Sequence, residues 1–158
     1  MPLAITMYTL SVAIHVVFVV SFLGAAGAFS VIGPMMKDNP QHAVFGLQVI
    51  KKVYEVSVFP GILVVFGTGM YQLSDAGYNL GDDLWLTVSL VLFAFMVVAA
   101  FFLLYPATKT ALSELESQET PGPPSEKALK SIQTMRIFGP AMGISMMVIT
   151  FLMVAKPF

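Results

Sequence analysis

Tyr8-Thr-Leu-Ser-Val-Ala-Ile-His15-Val-Val-Phe-Val-Val-Ser-Phe-Leu-Gly24-Ala-Ala-Gly27-Ala28-Phe-Ser-Val-Ile-Gly33-Pro34 decides the fold, and no Asp, Glu, Lys or Arg occurs between Met1 and Met36. An uncharged apolar run of this length is long enough to span a bilayer as a helix. His15 interrupts it. An ionisable side chain at membrane depth is expensive, so it is a functional candidate by default.

The rest of the chain follows the same plan. Its 158 residues are 57% hydrophobic and 11% charged, with a mean hydropathy of +0.83, outside the range of soluble globular domains. The net charge is −1 and Cys is absent. Nucleic-acid binding therefore has no electrostatic footing, and disulfides and thiolate metal sites are excluded. No basic n-region or cleavage site precedes the first apolar run, so it is expected to persist in the mature protein.

Charge gaps mark three further runs: Val56 to Ser74, the stretch between Asp83 and Lys109, and the stretch between Arg136 and Lys156. Four transmembrane helices are expected, near 7–33, 54–74, 84–106 and 137–155, making one all-α domain over 1–158. The expected architecture is an up-down bundle of two hairpins. The 34–53 segment carries Lys37, Lys51 and Lys52, and the 107–136 segment carries Lys109, Lys127, Lys130 and Arg136, whereas the 75–83 loop has acids and no base. The positive-inside rule places both basic loops in the cytoplasm of a bacterial inner membrane, with both termini outside. Tyr8, Tyr71, Tyr78 and Trp85 then form the outer aromatic belt.

Local signals refine these limits. Asn39-Pro40 reads as a cap followed by Pro at a helix start, so helix 2 begins well before the membrane. Lys51 and Glu55 stand at i,i+4, as do Glu126 and Lys130 behind a Ser125 cap. The linker around 107–131 divides into an amphipathic Thr108–Ser117 continuation and a Pro- and Gly-rich breaker at 118–124. Pro34 with Pro106, and Pro60 with Pro140, suggest two hairpins of similar plan. Kinks are expected at Pro60 and Pro140.

His15 has two readings. In one it is an axial ligand of haem b or a proton-transfer group. In the other it is a neutral imidazole bonded across helices to Ser, Thr or a carbonyl. His42 lies at the opposite end. Met146 and Met147 match His15 in depth, so haem requires His/Met ligation, five-coordination, or two His15 side chains meeting across a dimer. Met142, Met146 and Met153 share a stripe; thioethers suit Cu(I), although packing is their ordinary use. Glu55 and Arg136 occupy equivalent helix entries and are expected to form a structural ion pair. Gly24, Gly27, Ala28, Gly67, Gly69, Gly139 and Gly143 are expected at close helix contacts.

His15 with its glycines, Gly67-Thr-Gly69, Asp83-Leu-Trp85-Leu, Leu104-Tyr-Pro106-Ala and the ending Met153-Val-Ala-Lys156-Pro157 together resemble a bacterial membrane family, DUF2269, across nearly the whole chain. That resemblance implies a fold and a location but no reaction. The first helix is also distantly similar to that of CopD-like copper-resistance proteins and HemJ-type protoporphyrinogen oxidases. The HemJ likeness implies a histidine-held haem and a lysine needed for activity; the lysines of helix 2 here are Lys51 and Lys52, at its cytoplasmic end. No P-loop, dinucleotide fingerprint, H-E-x-x-H motif or triad is present. The expectation is a non-catalytic subunit or accessory of a membrane complex, or a homo-oligomer, in contact with lipid and with a protein partner. The alternatives are a haem-binding redox protein with His15 as ligand and a small transporter component.

Overall fold

The computed structural model describes residues 6–78, 80–118 and 123–157. Four long helices account for almost all of them, and no strand occurs among the described residues. They are α1 (Met7–Asp38), α2 (residues 43–76), α3 (Leu84–Glu116) and α4 (Glu126–Ala155). Three of them, α1, α3 and α4, are long and apolar enough to cross a membrane. The second is not in that set.

The helix starts follow from local chemistry. Thr6 and Thr9 form a reciprocal capping box at the head of α1, with Thr9 N–H donating to Thr6 Oγ1 at 3.1 Å and Thr6 N–H to Thr9 Oγ1 at 2.9 Å. Pro40–His42 forms a 3₁₀ turn that leads directly into α2. Ser125 caps α4 by accepting from Ala128 N–H at 3.1 Å, and Glu126 pairs with Lys130 at 2.7 Å. Helix α3 continues through Pro106 to Glu116, and α4 begins at Glu126; residues 119–122 lie outside the described chain. Likewise α1 passes Pro34 and ends at Asp38, where Asn39 N–H closes the last turn on Met35 O at 2.9 Å.

The four helix prolines differ in local structure. Helix α2 contains a π turn at Tyr54–Val58 and α3 one at Ala99–Leu104, directly before Pro60 and Pro106. A proline has no N–H to offer the carbonyl four residues back and its ring crowds that carbonyl. The carbonyls concerned belong to Val56 and Phe102, and both lie within the widened turns. Pro34 and Pro140 sit inside unbroken α-helix. The shared feature therefore links α2 with α3. The two π turns meet through an aromatic cluster: Phe59 stacks on Phe101 at 4.4 Å, and Tyr105 lies edge-on to Phe59 at 5.0 Å and to Tyr54 at 6.1 Å.

Packing divides the molecule along its length. At the basic end, Leu47 of α2 is buried with Ala111 and Leu112 of α3, and Met36, Ile132 and Met135 close around them. The middle holds Ile50, Tyr54, Val58, Ala100 and Leu104. At the other end Trp85, Leu86 and Leu152 form a third cluster. Within a membrane, helices approach through small residues and dispersion, because lipid removes the hydrophobic drive. Here those small residues include alanines: Ala99, Ala100, Ala111 and Ala128 are at most 1% exposed.

Candidate functional site

His15 comes from the first third of α1 and meets the C-terminal half of α2. Its Nδ1 lies 2.9 Å from Thr68 Oγ1. The Thr68 hydroxyl has one proton, and its shortest acceptor is Val64 O at 2.7 Å, with Val65 O at 3.2 Å. That leaves an oxygen lone pair facing the imidazole, so Nδ1 carries the hydrogen and donates to Thr68. In a neutral ring of that tautomer, Nε2 then keeps its lone pair. A ring held through one nitrogen with the other left as an acceptor is how ligating histidines are oriented. The ring lies against this stretch of α2: a Cβ at Gly69 would rest in ordinary contact with His15 Cε1 at 3.4 Å.

His15 lines a cavity of about 1890 Å³ that runs between all four helices. This exceeds the usual 300–1,000 Å³ of small-molecule pockets. Its wall is mainly apolar, with Ser89, Thr150 and Gln72 adding polar atoms near the His15 level. The Nε2 of Gln72 is buried and has no hydrogen-bond partner among the described residues. One end is closed by Trp85 and Tyr78, whose rings meet edge-on at 5.4 Å, with Lys156 Nζ 4.9 Å from the Tyr78 ring centroid and 5.5 Å from that of Trp85.

The remaining site candidates separate clearly. Met146 is buried and lines the cavity, while Met147 is 59% exposed on another face of α4. Met142 and Met153 also line it. No group of three or more His, Asp or Glu residues that could hold a metal ion occurs among the described residues. The Glu55 carboxylate has Lys51 3.8 Å away, as the i,i+4 spacing predicts, and accepts the Tyr105 hydroxyl at 3.0 Å. No ion pair joins it to Arg136 among the described residues. The π turn at Tyr54–Val58 sets the rotation of α2, and the facing helix at this level is α3 with Tyr105.

The glycines divide into those that meet a neighbour within the chain and those that do not. A Cβ built at Gly24, Gly27, Gly67, Gly139 or Gly143 meets nothing within 4 Å, so none of them is a close contact inside the chain. Of the glycines expected there, Gly69 alone touches a neighbouring helix. The tight approaches are at Gly61, 2.7 Å from the Phe22 ring, and Gly46, 2.5 Å from Met36 Sδ, neither of which the sequence pattern singles out. Gly24, Gly27 and Ala28 are exposed on the face of α1 away from the cavity.

Apolar side chains therefore face outward along helices long enough to cross a membrane, and a second apolar surface faces inward on the cavity. That is the construction of an integral membrane protein in contact with the lipid bilayer. The chain belongs to the DUF2269 family, described as a predicted integral membrane protein, whose model matches residues 9–157. No curated protein and no solved structure matches it.

Proposed function

We propose that this protein is a non-catalytic subunit or accessory that associates with a protein partner, or with itself, inside a bacterial inner membrane. Four helices cross in an up-down bundle with the basic end in the cytoplasm and both termini outside. The observation that supports association is the outward face of α1. Gly24, Gly27 and Ala28, followed by Val31 at 57% exposure, fall at i, i+3, i+4 and i+7 on one stripe. A glycine inside a helix costs about 1 kcal/mol relative to alanine. At Gly24 and Gly27 no contact within the chain offsets that, because a Cβ would meet nothing. Small-residue stripes of this kind let a second membrane helix approach closely. Gly24→Leu with Gly27→Leu should leave the monomer folded and abolish association, measured as mass in mild detergent and as cross-linking in membranes. A wild-type protein that is strictly monomeric, with no co-purifying chain, refutes the reading.

A second reading is favoured by the His15 geometry. With Nδ1 held by Thr68, the Nε2 of His15 would be the group to hold a haem in the cavity, and Met146, which also lines it, would offer a second ligand. Haem would supply redox chemistry there; the chain's own part is to hold the imidazole in one tautomer and to keep water from the ring. An optical spectrum without a Soret band, after expression with ample haem, eliminates this reading.

A further inference from the structure

The groove between α1 and α4 at the basic end is used by neither reading. The cavity reaches this level, bordered by Ser30 and Gly33 on α1 and by Gly139 and Gly143 on α4. A Cβ on any of these three glycines meets nothing within 4 Å, so the gap between the helices stays open sideways. Lys37 and Arg136 stand at its mouth, both lining the cavity and both exposed. Neither has an ion pair or hydrogen-bond partner among the described residues. Their chain neighbours Met36 and Met135 pack on the same cluster around Leu47, so the two cations lie at one depth. Asp38 is the acid on the cavity lining. Lys51 and Glu55 are paired with each other and are not part of that lining. The mouth is net positive.

An apolar cavity entered past unpaired cations selects a molecule with an anionic head and an apolar chain. Basic pockets between membrane helices take acidic lipid head groups in this way, and a guanidinium matches a phosphate in two parallel hydrogen bonds. A zwitterionic head brings its own cation against Lys37 and Arg136 and is disfavoured. The helical rise from His15 to Lys37 is about 33 Å, comparable to the roughly 30 Å hydrocarbon thickness of a bilayer. A full lipid chain fits lengthwise. We propose that the cavity holds one acidic amphiphile, its anionic head at Lys37 and Arg136 and its chain between α1 and α4, entering sideways from the membrane. This face of α1 is opposite Gly24 and Gly27, so the proposal does not depend on association.

The test uses the full chain in nonionic detergent, titrated separately with phosphatidylglycerol, phosphatidylcholine, oleate and inorganic phosphate. Native mass spectrometry counts bound lipid and thermal unfolding reads protection. Phosphatidylglycerol should saturate at one per chain and bind at least tenfold more tightly than phosphatidylcholine, with no effect from phosphate alone. Oleate binding at equal strength supports the proposal and assigns the occupant to free fatty acids; weaker binding supports it and assigns the occupant to phospholipid. Lys37→Gln with Arg136→Gln should bring the two phospholipids to near parity without moving the lipid-free unfolding midpoint, since neither side chain has a hydrogen-bond or ion-pair partner to lose among the described residues. Gly139→Leu with Gly143→Leu should block occupancy. Equal binding of the two phospholipids by wild type, an unchanged preference in the charge variant, or equal protection by phosphate alone overturns the proposal.

Discussion

Gly61→Ala is the substitution that tests the packing most directly. A methyl at Gly61 would lie 2.7 Å from both Cε1 and Cζ of Phe22 and 3.2 Å from Cδ1 of Phe18. Carbon atoms rest at about 3.5–4.0 Å, so the Phe22 ring must retreat by roughly 1 Å or α1 must move off α2. Overpacking of this kind typically costs about 1–3 kcal/mol, and the gain in helix propensity returns up to about 1 kcal/mol. The net expectation is a loss of about 1–2 kcal/mol. Gly67→Ala is the matched control on the same helix. Nothing stands within 4 Å of its Cβ, so it should be neutral or stabilising by up to about 1 kcal/mol. Unfolding in mixed micelles of increasing dodecyl sulfate fraction, followed by the fluorescence of the single tryptophan, Trp85, gives both values. If Gly61→Ala is as stable as Gly67→Ala, the close approach of α1 and α2 at Phe22 is wrong.

His15→Gln keeps a donor and an acceptor in reach of Thr68 and should fold with a loss on the order of 1 kcal/mol; any Soret band of the wild type should disappear, and a retained band excludes His15 as the ligand. Topology is read by placing single cysteines in this Cys-free chain at the exposed Ala76 and Ser117. Gly77 itself is a poor site because its φ of +70° favours glycine. Ala76→Cys should react with an impermeant maleimide in intact cells and Ser117→Cys only after permeabilisation, and the opposite pattern reverses the orientation.

What the sequence determines by itself is whatever acts over one or two turns of chain. Charge gaps locate the apolar helices because each uncharged run must be long enough to bury its own backbone hydrogen bonds in lipid. Thr6, Pro40 and Ser125 begin helices through contacts three or four residues away, and the Lys51–Glu55 and Glu126–Lys130 pairs follow from helical spacing alone. His15 is legible as a candidate because its depth follows from counting residues. The tertiary structure decided which way each helix face points. Glu55 meets Tyr105 and not Arg136, and the glycines that look like contact points on α1 and α4 face open space while Gly61 and Gly46 are pressed against neighbours. Thr68 is the partner that orients the His15 ring. Helical periodicity is the same for every rotation about the axis, and in lipid no burial of apolar surface prefers one rotation over another. That choice rests on the fit of side chains between distant segments, with Ala100 and Ala111 allowing contact, Phe22 filling the space at Gly61, and the π turns before Pro60 and Pro106 resetting the register of α2 and α3.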